Sequence, residues 1–119
     1  MKTSRTYLHY LEDIEQSMLR ILEYLEDLDI NSFRKDYKTV DAVVRNFEII
    51  GEATKNLPVE FKEQNPQLPW EEMYRMRNKI SHEYFGLDYE ILWYISTIEI
   101  PANYEELRKI IKNEKGIKD

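Results

Sequence analysis

At 119 residues the chain holds material for one hydrophobic core and too little for two, since domains cluster near about 100 to 150 residues, so residues 1–119 are read as one domain. With 42% hydrophobic and 34% charged residues, three glycines and four prolines, the composition is that of a helix-forming globular protein and excludes a disordered chain. The absence of cysteine excludes a disulfide framework and a thiolate metal site. A formal net charge of −6 and a pI of about 5.0 argue against a DNA-scanning protein, so any affinity for nucleic acid has to come from a local basic patch.

Met1-Lys2-Thr3-Ser4-Arg5 leads directly into a charged amphipathic segment. No apolar run suits a signal peptide, and none reaches the roughly 18 residues of a membrane helix, so a cytoplasmic protein is expected. Leu8, Leu11, Ile14, Met18, Ile21, Leu22, Leu25 and Leu28 recur at spacings of three and four, which predicts one long amphipathic helix. Turn formers between Asp29 and Tyr37 reverse the chain, with Ser32 as the expected cap of a short segment beginning at Phe33.

A second helix is predicted from about Thr39, carrying Val40, Val43, Val44, Phe47 and Ile50 on one side and ending before Pro58. Gly51 within it costs about 1 kcal/mol relative to alanine and points to the close approach of another helix. Pro58, Pro66 and Pro69 bracket a connector with room for one short helix over Val59 to Gln64. A third helix follows from Pro69 through Trp70, Met73, Met76 and Ile80, with Gly86 as its stop and Asp88 as the next cap. Ile91, Leu92, Ile95 and Ile98 are read as the apolar face of a fourth helix. Pro101 breaks or kinks it, and Tyr104, Leu107, Ile110 and Ile111 continue as a last helix before the polar tail 112–119. With no strand-like alternation, the expected fold is all-α, an antiparallel bundle of four to five helices.

The densest cluster of functional groups is Arg75-Met76-Arg77-Asn78-Lys79-Ile80-Ser81-His82-Glu83-Tyr84-Phe85, which holds one of only two histidines. In a regular helix Arg77 and Tyr84 share a face, while His82 lies about 140° from Arg77. The helix therefore ends or bends here, or a second chain completes the site. An arginine near a histidine suits phosphodiester cleavage: guanidinium stabilises charge developing on a phosphate, and imidazole titrates near neutral pH. RNA supplies its own 2′-hydroxyl as nucleophile, so such a site needs no metal, cofactor, serine or cysteine. The plainer reading is a basic cluster facing the C-terminal dipole of a helix.

Arg77, His82 and Tyr84 in this spacing, with polar Asn78 after the arginine, resemble the motif of HepT-like members of the HEPN superfamily. The segments from Asp41 through Phe47-Glu48-Ile49-Ile50-Gly51-Glu52 to Ala53, Pro69-Trp70 and Phe85-Gly86 resemble that family in order and spacing, across nearly the whole chain. The resemblance implies a HEPN-like bundle and a metal-independent endoribonuclease that dimerises with its motifs facing a shared cleft. It implies the toxin of a toxin–antitoxin pair acting on tRNA or mRNA. Its partner would be an MntA-type nucleotidyltransferase antitoxin that silences the toxin by transferring AMP to Tyr84. On this reading Arg77 holds the scissile phosphate, His82 is the acid or base and Asn78 orients one of them.

Asp41, Arg45, Glu48 and Glu52 could orient Arg77 or His82, with Glu52 favoured because it follows Gly51. Solvated ion pairs along a helix face account for Asp41 and Arg45 at least as well. A di-metal bundle needs Glu-x-x-His pairs on two helices, and His9 precedes Glu12 in the reverse order, so His9 reads as a surface residue. Trp70, Met73 and Met76 read as core rather than as a platform for bases. Tyrosines 7, 10, 24, 37, 89, 94 and 104 are numerous enough to line a dimer interface. The alternative function is a non-catalytic helical dimer that binds a nucleotide or a nucleotidyltransferase through Arg77 and Tyr84.

Overall fold

In the computed structural model the first helix, α1 (Lys2–Leu25), buries Leu11, Ile14, Met18 and Ile21 completely, as their three- and four-residue spacing requires. The structure describes the backbone of residues 2–82 and 86–116 and the side chains of residues 7–80 and 86–116. Asp27 follows α1 in the left-handed region at φ 71°, a conformation that a short polar side chain tolerates better than most.

The short α2 (Ile30–Lys35) is capped by Asp29 rather than by Ser32. Asp29 Oδ1 accepts the Ser32 N–H at 2.8 Å and Ser32 Oγ accepts the Asp29 N–H at 3.0 Å. This reciprocal pair places Ser32 at the third helical position, so the cap lies three residues before the predicted one. Helix α3 (Tyr37–Lys55) starts two residues earlier than expected because Asp36 accepts from the Thr39 N–H at 3.1 Å and its hydroxyl at 2.7 Å. The connector helix α4 (Val59–Gln64) matches its prediction, and the Trp70 indole N–H closes the connector on the Asn65 carbonyl at 2.9 Å. In α5 (Trp70–Ile80), Trp70 keeps 7% of its surface, Met73 none and Met76 1%, which makes all three core.

Two short strands follow, β1 (Ser81–His82) and β2 (Gly86–Leu87), paired antiparallel with Ser81 opposite Leu87 and His82 opposite Gly86. Elements of two residues are too short to leave an alternating pattern, which is why no strand was expected. Asp88 caps α6 (Tyr89–Tyr94) by accepting the Ile91 N–H at 3.1 Å, as predicted.

A π-helical turn, Ile95–Glu99, joins α6 directly to α7 (Ile100–Lys115). Pro101 therefore does not separate two helices. Its ring would collide with the Thr97 carbonyl in a regular helix, and the widened turn, in which the Ile100 N–H reaches the Ile95 carbonyl, makes the room. The same widening spaces buried residues by four, as Leu92, Ser96 and Ile100. Ile91 and Ile98, predicted on the core face, are instead 39% and 55% exposed. Helix α7 runs on into the polar tail until Gly116, at φ 76°.

Contacts across the bundle fix antiparallel packing. The Tyr7 hydroxyl donates to Glu114 at 2.8 Å and Lys115 pairs with Glu12 at 2.7 Å, so the start of α1 meets the end of α7. Gly51 faces Tyr74 and Glu48 faces Arg77, so α3 runs against α5. Among the described residues no helix is long and apolar enough to cross a membrane.

Burial and the neighbouring Glu114 carboxylate push the Tyr7 hydroxyl up to about 12 from 10.0. The folded state favours protonated Tyr7, so its contribution is complete below pH 10 and is lost as pH rises through 12. Tyr7→Phe is expected to lower stability by about 1 kcal/mol at neutral pH, the usual net worth of one such hydrogen bond. It should also remove the latest-titrating component of the tyrosinate absorbance; an unaltered alkaline titration would refute the assignment.

Candidate active site

Arg77 and Asn78 sit in the last turn of α5, both exposed. The turn is positioned by Met73, Met76 and Ile80, which pin one face of α5 in the core and leave positions 74, 77 and 78 toward α3. The two helices approach closely at Gly51, where an added Cβ would lie 3.2 Å from the Tyr74 carbonyl oxygen. The glycine predicted to mark a close crossing does so.

A cleft of about 300 Å³ opens beside this crossing, lined by Phe47, Glu48 and Glu52 of α3 and by Tyr74, Arg77 and Asn78 of α5. Arg77 Nε donates to Glu48 Oε2 at 2.8 Å, and the arginine side chain remains 49% exposed. A second hollow of about 180 Å³ lies on the other side of Glu48 and Glu52, walled by Tyr10, Asp13, Arg45 and Asn56. Arg45 therefore reaches the cleft only through Glu48, whose Oε1 lies 3.5 Å from Arg45 Nη1. Arg45 turns to Glu48 rather than to Asp41, the pairing its spacing suggested. Glu52 lies on the cleft side, as expected from Gly51, but among the described residues Glu48 is the carboxylate bonded to Arg77.

The helix ends three residues beyond Arg77, and His82 leaves it on β1. Its backbone is fixed by the pairing with Gly86 and by the Asp88 N–H bonded to the Ile80 carbonyl at 2.8 Å. The expected break between Arg77 and His82 is present, and the angle of a regular helix does not apply to them. The His82 side chain and Tyr84 lie outside the described residues. His9 is exposed. Among the described residues no group of three or more histidine, aspartate or glutamate side chains could hold a metal ion.

Sequence reasoning named Glu48 among the side chains that could orient Arg77 but favoured Glu52, because a pair that spans 29 positions leaves no local signal. It missed Tyr74 entirely. Tyr74, 44% exposed, gives the cleft an aromatic wall one turn before Arg77.

The family model for ribonuclease HepT-like proteins matches residues 14–110, a span that contains every residue lining the Arg77 cleft. The chain belongs to the ribonuclease HepT-like family. Among its relatives, a Methanocaldococcus jannaschii protein named as an RNase candidate is 44% identical over 107 residues, 90% of this chain and 88% of the relative. A Thermococcus cleftensis protein named “Probable ribonuclease HepT” is 44% identical over 108 residues, 88% of this chain and 98% of that protein. A Caldanaerobacter subterraneus RNase candidate is 43% identical over 115 residues, 97% of this HepT-like chain and all of the relative. No solved structure matches the chain.

Proposed function

We propose that this HepT-like chain is a metal-independent endoribonuclease that acts in the cytoplasm as the toxin of a toxin–antitoxin pair. The observation that carries the reading is Arg77, half-exposed in a solvent-open cleft, with the backbone of His82 held just beyond the helix end, in a chain whose relatives are named as ribonucleases. His82 serves as the acid or base. A base draws the proton from the 2′-hydroxyl, the oxygen attacks the adjacent phosphorus, and the bond to the 5′-oxygen breaks as that oxygen takes up a proton. The products are a 2′,3′-cyclic phosphate and a 5′-hydroxyl. Arg77 neutralises the charge growing on the phosphoryl oxygens, Asn78 orients a reacting group, Glu52 lines the cleft, and Arg45 supports it through Glu48. Two copies of the chain bring their motifs to one shared cleft and accept tRNA or mRNA.

The antitoxin is a nucleotidyltransferase of the MntA type. The Tyr84 oxygen attacks the α-phosphorus of ATP, pyrophosphate leaves, and the tyrosine carries AMP. A bulky anion close in sequence to Arg77 occupies the phosphate site and repels RNA.

The test incubates protein shown by intact mass to be free of AMP with total tRNA and with mRNA in EDTA. Cleavage ending in a 2′,3′-cyclic phosphate is expected, together with its loss after treatment with the nucleotidyltransferase and ATP. The added mass of AMP should be absent from Tyr84→Phe. An unmodified chain that leaves both RNAs intact would turn the reading to a non-catalytic dimer that binds a nucleotide or the transferase.

A further inference from the structure

Resting on the reading that Arg77 engages the scissile phosphate, we propose that Glu48 is a positioning residue that orients the Arg77 guanidinium for that phosphate. Glu48 Oε2 takes the Nε–H of Arg77 at 2.8 Å, and among the described residues this is the guanidinium's one hydrogen bond. An arginine fork has five N–H donors. With Nε held from α3, the four on the terminal nitrogens are left for a ligand, and the plane of the fork is set by its held edge. An unrestrained arginine would sample many rotamers on a surface helix; tethering it across two helices removes most of them before RNA arrives.

Charge supports orientation rather than simple attraction. A carboxylate near a phosphate site repels the substrate, so Glu48 alone would weaken RNA binding. Here it lies between two guanidinium groups, Arg77 and, at 3.5 Å, Arg45, so the three side chains together carry one positive charge. The arrangement gives up attraction and gains a fixed direction. Packing makes it possible: Gly51, one turn along α3 from Glu48, has no Cβ to hold α5 away. Glu52 lines the same cleft and among the described residues makes no such bond. The pair is exposed on both sides, so it contributes little to folding stability, and its effect should appear in catalysis.

The test is single-turnover and steady-state cleavage by Glu48→Ala, Glu48→Gln, Arg77→Ala and the double variant Glu48→Ala/Arg77→Ala. Glu48→Ala should lower kcat by about tenfold to a hundredfold, the cost of a misplaced group, with KM for RNA unchanged or lower because a negative charge is gone. Glu48→Gln, which keeps an oxygen to accept from Nε, should recover most of the rate. In the Arg77→Ala background the Glu48 change should cost nothing further, because it acts through Arg77. An equal loss in that background, or an effect confined to KM, overturns the proposal. The Arg77 Nε–H resonance in 15N-edited NMR gives a readout independent of cleavage. If the unmodified wild-type chain is inert on RNA, the ribonuclease reading falls and this signal decides for Glu48. A shifted, faster-exchanging Nε–H in Glu48→Ala upholds the positioning of the guanidinium; an unchanged one overturns it.

Discussion

Alanine at Arg77 or at His82 is expected to lower RNA cleavage by roughly two to four orders of magnitude, the usual range for losing a positioned phosphate-binding cation or a general acid–base group. For Arg77 the structure separates this from unfolding. The side chain is 49% exposed and its partner among the described residues, Glu48, is 37% exposed, so removing the pair costs stability of about 1 kcal/mol or less. A hundredfold rate loss corresponds to about 2.7 kcal/mol in the transition state. The two effects are therefore distinguishable by comparing kcat/KM with the melting temperature of the same sample. Arg77→Lys sharpens the test. Lysine keeps the charge but presents a point donor in place of a planar fork, so it should restore RNA binding more fully than cleavage. Arg77→Ala protein that melts as wild type and cleaves at the wild-type rate would remove Arg77 from the site, and a fully active His82→Ala would do the same for His82.

The sequence made the elements legible where one physical effect dominated and failed where two effects met. Helix α1 and the connector helix α4 follow from apolar spacing and proline placement alone. The cap of α2 was misplaced because Asp29 and Ser32 are both good cap residues and form one reciprocal unit, which only coordinates resolve. Around Pro101, the 3.6-residue period puts Ile98 in the core, yet a π turn changes the local period and leaves it 55% exposed. A widened turn has no sequence signature beyond the proline that it accommodates. Arg77 could be read from residue type and Asn78 from the family resemblance, and the Arg77-to-His82 spacing pointed to an end or bend of the helix; the stop itself was misplaced at Gly86, which lies on β2, six residues beyond the true end at Ile80. The partner of Arg77 could not be read, because choosing Glu48 over Glu52 requires the register of α3 against α5. That register is set by Gly51 and Tyr74, 23 positions apart in the chain, through contacts that no local pattern encodes.

Gly51 offers the sharpest stability contrast in the molecule. Alanine in a helix interior gains about 1 kcal/mol over glycine in intrinsic propensity. Here the new methyl would sit 3.2 Å from the Tyr74 carbonyl oxygen, tighter than ordinary contact, and a backbone carbonyl within a packed helix yields less readily than a side-chain end. The two effects oppose each other, and Gly51→Ala should lie within about 1 kcal/mol of wild type. Gly51→Leu has no such balance. Its branched side chain must displace α5 itself, and overpacking of this kind costs about 1 to 3 kcal/mol, or a melting point lower by about 4 °C for each. Because the displaced helix carries Arg77 one turn beyond Tyr74, the Glu48–Arg77 bond should open in the same variant. Activity should then fall further than stability alone accounts for when both are measured well below the melting transition. Equal stability of the alanine and leucine variants would mean that α3 and α5 can separate freely, and that the close crossing does not set the geometry of the cleft.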